Sequence, residues 1–188
     1  MPAVTTAGQN ARFFAAPLAM SQIRSMTAAD LPAVMQIQAQ CYAPSLLESA
    51  AVIARRLHNN PQQCWVAEDT LGVCAYLFAY PSKLGSITPL DGDFPRHAAP
   101  DCLYLHDLAV ANRAAGRGIG PQLVAHGLNH ARDQALPWSA LVSVQDSAGF
   151  WNRQGFAQEP TLDERQRGVL QSYRIPARYL VCPLVETA

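Results

Sequence analysis

An apolar, strand-like run from Leu103 to Val110 (LYLHDLAV) leads into a segment with glycine at every second position: Gly116, Gly118 and Gly120. An amphipathic helical pattern begins at once after it. This succession constrains the fold more than any other part of the chain, because it requires a strand, a tight loop and a helix N-terminus in sequence. Backbone without side chains at a helix N-terminus leaves several N–H groups pointing outward, and the helix dipole adds partial positive charge there. Such a corner binds phosphate or pyrophosphate. Arg117, inside the glycine run, adds a charged contact to the same anion.

The spacing narrows the ligand. Gly-x-Gly-x-Gly is not the G-x-G-x-x-G dinucleotide fingerprint, and no acidic residue follows about 20 residues on to close a βαβ unit. No Gly-Lys-Ser/Thr follows either, which excludes a nucleotide-hydrolysing phosphate loop. A second segment lies further along, Leu141 to Phe156 (LVSVQDSAGFWNRQGF), where a strand runs into a short helix carrying Phe150 and Trp151, then Gly155 and Phe156. The two segments together resemble the GNAT superfamily of N-acetyltransferases. The family's pyrophosphate loop reads Gln/Arg-x-x-Gly-x-Gly/Ala; Gly118 and Gly120 match it, and Ala115 stands at the first position. The resemblance runs from Ile23 to Leu184.

The resemblance implies an α/β fold: a mixed, mostly antiparallel sheet of six or seven strands flanked by helices, with a splay between strands four and five. It implies acetyl-CoA as cosubstrate, with contacts from Ala115, Gly116, Arg117, Gly118, Ile119 and Gly120 in the loop. Leu108, Ala109 and Val110 would supply backbone groups to the pantetheine arm, and one N–H, that of Leu108, would face the acetyl oxygen. Ser147 and Trp151 complete the implied cofactor contacts.

His106 is the candidate base, because an alkyl amine with a pKa of about 10 must lose a proton before it attacks. In the similar spermidine/spermine acetyltransferases a Glu stands at this position. Strand alternation places His106 and Leu108 on one face and Asp107 on the other, unless a bulge intervenes. The family often has a Tyr acid where this chain has Trp151, and an indole N–H does not protonate a thiolate. Ser147, Tyr173 or a water is left for that role, or the thiolate leaves unaided at a pKa of about 8.5. The family's Asn after the fifth strand is also missing, with Gln145 and Ser147 nearest. The expected activity is acetyl transfer to a primary amine of a small molecule or peptide. The rival is a non-catalytic acetyl-CoA-binding regulator or degenerate paralogue.

Composition fits one domain. A chain of 188 residues buries a sizeable core. Residues 21–188 form the expected domain, preceded by a flexible extension over 1–20 or an upstream start ahead of Met20. The net charge is zero, with no basic block, so neither nucleic acid nor an anionic membrane surface is an expected partner. Charged residues make up only 15%, low enough to be consistent with a homodimer. No apolar stretch reaches the roughly 18 residues of a membrane span. Five cysteines without C-x-x-C spacing read as buried, reduced and inert, which fits the cytoplasm. His126 and His130 are four apart on a polar helical stripe with no third ligand, so no metal is expected.

Helices are expected over about 28–42 and, from a Ser45/Glu48 capping signature, up to the Asn59-Asn60-Pro61 stop. Further helices are expected over 118–135 and 147–154. Strands are expected over 23–26, 64–68, 72–80, 103–110, 140–145 and 177–183. The Pro- and Gly-rich stretch 82–100 reads as a functional or mobile loop, and its Asp91 and Asp93 as candidate attractors of a cationic amine.

Overall fold

The computed structural model describes residues 21–158, 162–173 and 175–185. The expected extension, residues 1–20, lies outside the described residues. Seven strands form one sheet in the order β1-β2-β3-β4-β5-β7-β6. They are β1 Gln22–Ser25, β2 Cys64–Asp69, β3 Gly72–Ser82, β4 Cys102–Val110, β5 Trp138–Val144, β6 Ala157–Gln158 and β7 Ala177–Pro183. The helices are α1 Leu31–Cys41, α2 Ala50–Asn59, α3 Ile119–Asp133, α4 Ala148–Arg153 and α5 Glu164–Gln171. β4 and β5 are parallel, while the other neighbours are antiparallel. The expected mixed sheet is therefore present. The short β6 and the polar α5 had no periodic signal strong enough to place them.

Each face of the sheet carries its own core. One face packs Tyr76, Phe78, Tyr80 and Tyr104 against Val34, Ile37, Ile53 and Leu57 of α1 and α2. The other packs Leu77, Leu103 and Leu105 against Ile119, Leu123, Val124 and Leu128 of α3. Alternation along β3 and β4 makes both layers possible, since neighbouring residues face opposite sides. Gly127 lets α3 approach closely: a Cβ there would lie 3.2 Å from Leu77 Cδ2 and 3.6 Å from Trp65.

Two helix starts differ from expectation. Residues 28–30 form a 3-10 turn, and the α-helix begins at Leu31. Thr27 and Asp30 form a capping box at this start, with Asp30 accepting the Thr27 N–H at 2.8 Å. The second helix is capped by Ser49, whose hydroxyl accepts from the Val52 N–H. Glu48 does not cap it; its side chain is buried.

The loop between β3 and β4 is fastened along its length. The Gly85 N–H donates to the Tyr179 hydroxyl at 2.8 Å, and the Ile87 N–H to Gln166 Oε1 at 2.8 Å. The Tyr173 hydroxyl donates to the Thr88 carbonyl at 2.8 Å, and Phe94 stacks on Tyr80 with centroids 4.2 Å apart. Backbone polar groups in so long a connection need partners, and side chains from distant parts of the chain supply them.

Candidate active site

β4 and β5 pair only from Cys102 to Leu105 and from Trp138 to Leu141. Both strands continue beyond that point, so the sheet opens between their C-terminal halves. The Ala111 N–H donates to the Cys74 carbonyl at 2.8 Å, on the β3 side. Alternation from this contact turns the backbone groups of Ala109 toward β3, and those of Leu108 and Val110 toward the opening. Ala109 thus lines the cleft but does not offer it backbone groups, in contrast to the expectation for the Leu108–Val110 stretch.

The opening leads to a cavity of about 400 Å³ lined by residues of α1, the segment leading into α2, β4, β5 and α4. Among them are Tyr42, Glu48, His106, Leu108, Ser147 and Trp151.

A β-bulge shapes its floor. Phe78 of β3 pairs with Asp107 and Ala79 with Leu105, which leaves His106 as the extra residue on β4. The bulge overturns the simple alternation: His106 and Asp107 share a face, and Leu108 lies on the other. Asp107 accepts from the Tyr42 hydroxyl at 2.6 Å and from the Tyr76 hydroxyl at 2.8 Å. Burial pushes its carboxyl above the usual range, against the pull of the two tyrosine hydrogen bonds. The Tyr42 oxygen also lies 3.0 Å from the Leu108 carbonyl.

His106 sits in a buried ionic cluster. Its Nε2 is 3.2 Å from each oxygen of Glu48. Arg56 grips Glu48 with two guanidinium nitrogens, one at 2.7 Å from Oε1. The Asp91 N–H donates to Glu48 Oε1 at 2.9 Å, and Arg56 also donates to the Gly92 carbonyl. Burial alone would raise the Glu48 carboxyl; attraction and hydrogen bonding from His106 and Arg56 outweigh it and hold the group well below the usual carboxylate range. Sequence reading missed Glu48 because its spacing from Ser45 matched a helix cap. The one available signal was a carboxylate eight residues before an arginine, which has no force without the fold.

The glycine loop adjoins the cavity wall through Gly120, which neighbours Phe150 and Val110. Gly118 caps α3 in the left-handed region at φ 75°, and Gly116 has φ 76°. A Cβ on Gly116 would meet nothing within 4 Å, so the backbone there is open to a ligand. A Cβ on Gly120 would lie 3.5 Å from Phe150 and 3.7 Å from Val110, both cavity residues. Ala115 and Ile119 flank these glycines, Ile119 buried beneath the helix start. Arg117 and Arg113 both contact Asp69, at 2.7 and 2.8 Å, so part of the charge expected to face an anion is held by the end of β2. These positions fit a pyrophosphate: left-handed glycines, an open backbone and a fifteen-residue helix behind them.

The acetyltransferase (GNAT) family model matches residues 31–156. The chain belongs to the GNAT family. No curated protein sequence matches it. Among solved structures, the GNAT-like decarboxylase GphF in complex with isobutyryl-CoA is 17% identical, with a TM-score of 0.72 over 87% of this chain and 100% of that one. The ribosomal-protein-S18-alanine N-acetyltransferase of Escherichia coli is 16% identical, with a TM-score of 0.63 over 90% and 97%. N-acetylglutamate synthase of Neisseria gonorrhoeae, complexed with coenzyme A and N-acetyl-glutamate, is 19% identical, with a TM-score of 0.65 over 91% of this chain and 37% of its own.

The remaining expected residues of this GNAT chain are distributed unevenly. The Ser147 hydroxyl donates to the Val144 carbonyl at 2.7 Å and lies 3.0 Å from Ser143 Oγ. Trp151 is buried between Phe150 and Phe156. Gln145 and Asp146 adopt positive φ at the end of β5, a conformation unusual for residues with side chains. Cys41 departs from the expected buried thiols: it is half-buried, lines the cavity and donates to the Val110 carbonyl at 3.2 Å. Asp91 and Asp93 do not line the cavity. Asp91 accepts from Ser49 and Asp93 pairs with Arg55. His126 and His130 pack edge-on against Trp65. Among the described residues no three His, Cys, Asp or Glu side chains gather as a metal site, and no helix is long and apolar enough to cross a membrane.

Proposed function

We propose that the protein is an acetyl-CoA-dependent N-acetyltransferase acting on a primary amine of a small molecule or peptide. The observation that supports this best is the bulged His106 beside the opened β4 edge, with the glycine corner adjoining Phe150 and Val110 of the same cavity. When bound, acetyl-CoA would supply an activated acetyl thioester to the cleft. The Gly116–Gly120 backbone would hold its pyrophosphate, with Ala115, Arg117 and Ile119 shaping the loop. Leu108 and Val110 would present strand groups to the pantetheine arm, and Ala109, Ser147 and Trp151 would wall it.

His106 would then act as base. Nδ1 takes one proton from the acceptor ammonium, which leaves the nitrogen lone pair free to attack. The Leu108 N–H stabilises negative charge developing on the thioester oxygen, an effect of a few kcal/mol for one well-placed donor. Of the two protons the nitrogen loses, one passes to the departing thiolate and one to solvent. His106 holds the first and is placed to return it, which removes the need for a tyrosine at position 151.

One observation favours the rival reading of a non-catalytic acetyl-CoA-binding regulator. The hydroxyls of Tyr42, Ser147 and Tyr173 at the cavity are all engaged by protein acceptors. Thiol release from acetyl-CoA across a panel of primary amines separates the two. Turnover with any amine supports the enzyme. Tight acetyl-CoA binding with no turnover on any of them supports the regulator. The five free thiols favour a cytoplasmic location under either reading.

A further inference from the structure

We propose that Glu48 is the positioning residue of the His106 base, fixing the imidazole as the tautomer with its proton on Nε2. The inference rests on the reading of His106 as base. An ionised carboxylate only accepts hydrogen bonds. Glu48 is kept ionised by Arg56, and both of its oxygens face Nε2 at 3.2 Å. The proton of a neutral ring therefore sits on Nε2, and the lone pair on Nδ1.

Nδ1 is buried and has no hydrogen-bond partner among the described residues, on a side chain only 3% exposed. Leaving a buried acceptor without a partner is unfavourable, and a ligand N–H at that atom would satisfy it. His106 lines the cavity and Nδ1 is its unpartnered ring atom, the one left to accept from an amine donor, while the Glu48 carboxylate beside it is fully paired.

Rigidity comes from three directions. Arg56 reaches Glu48 from α2, the Asp91 N–H reaches it from the β3–β4 loop, and the Glu48 N–H donates to Gln38 Oε1 of α1 at 2.7 Å. The Phe94 ring meets the His106 ring edge-on at 5.1 Å and blocks rotation. The titratable and charged groups around His106 are Glu48 and Arg56 on one side, Tyr104 and Asp107 on its own strand, and Tyr173 across the cavity. Glu48 is the one bonded to the ring.

Nitrogen-15 NMR of the full chain, with His106 assigned by a His106→Gln variant, reads the tautomer directly and needs no acceptor. The expected spectrum shows a protonated Nε2 and an unprotonated Nδ1; a protonated Nδ1 in the neutral ring overturns the proposal. In Glu48→Gln, which loses the charge and gains a donor, the Nε2–H preference should disappear. Where an acceptor is in hand, kcat in that variant should fall at least about tenfold while acetyl-CoA affinity is kept, as for a general base no longer held in place. Glu48→Asp should recover part of the rate. A folded Glu48→Gln with an unchanged tautomer or an unchanged kcat overturns the proposal. If the variant does not fold, the wild-type tautomer alone decides. An active His106→Ala protein would instead overturn the reading of His106 as base, while leaving the tautomer result standing.

Discussion

At residue scale, the imidazole of His106 carries most of the chemical argument, and its removal has a specific signature. His106→Ala should lower kcat by about 10²–10⁴, the range for loss of a positioned general base. Acetyl-CoA affinity should hardly change, because the contact proposed for β4 with the pantetheine arm is through the backbone of Leu108 and Val110. The deficit should shrink for weakly basic amines, which arrive already neutral, and His106→Glu should recover part of the rate. Steady-state kinetics on amines of graded basicity, with calorimetry of acetyl-CoA, checks all three. A near-normal kcat for the Ala variant would leave His106 a structural histidine of the buried Glu48–Arg56 cluster.

At the scale of elements, α3 joins the glycine corner to the core, and the glycines at its start and in its middle have different neighbours. Gly118 sits at φ 75°, and a Cβ added there would meet only Gln122 Nε2, 3.9 Å away. Asp tolerates the left-handed region better than most residues, so Gly118→Asp should fold. Its carboxylate would lie where the pyrophosphate belongs, and acetyl-CoA binding should fall at least about tenfold by calorimetry with Tm nearly unchanged. Unchanged affinity in a folded variant would remove the pyrophosphate assignment. Gly127 gives the opposite pattern. It faces Leu77, Trp65 and Leu105 on the sheet, where even a first side-chain carbon is crowded. Gly127→Leu should destabilise the fold by about 1–3 kcal/mol or more through overpacking, read from the urea midpoint.

At the scale of the whole molecule, paired carboxylates set the response to acid. Hydrogen bonds from Arg24 hold Asp30 at about 2, against an ordinary 3.8, tying β1 to the start of α1. Hydrogen bonding from Arg117 lowers Asp69 to about 2 as well, tying the glycine loop to the end of β2. Glu48 is depressed in the same direction by His106 and Arg56. A depressed carboxyl contributes stability that is complete above its unfolded value and is lost as pH falls through its folded value. Asp107, raised by burial, contributes in the opposite sense: its share is complete at low pH and lost as pH rises through its folded value. These three depressed groups against the raised Asp107 predict a Tm that falls between about pH 4 and about pH 2. Asp30→Asn should flatten that fall. A Tm independent of pH over this range would show that these ion pairs do not survive in solution.

The amino-acid sequence by itself determined the order of the longer elements, the glycine corner and the family, because these rest on local signals. Periodicity placed α3 and the long strands, and Gly116, Gly118 and Gly120 marked a bare backbone able to approach a ligand closely. The tertiary structure decided what stands beside His106. The bulge at His106 arises only from pairing with Phe78 and Ala79 of β3, so no reading of β4 alone could turn Asp107 onto the same face. Glu48 looked like a helix cap from Ser45, yet it lies against a histidine fifty-eight positions away because the segment leading into α2 folds over β4. The β3–β4 loop read as functional or mobile, and which distant partners its backbone donors would find, Tyr179, Gln166 and Glu48, was not visible locally. Local spacing fixes which backbone shapes are available. Only long-range packing brings together the charged side chains that make a buried imidazole usable.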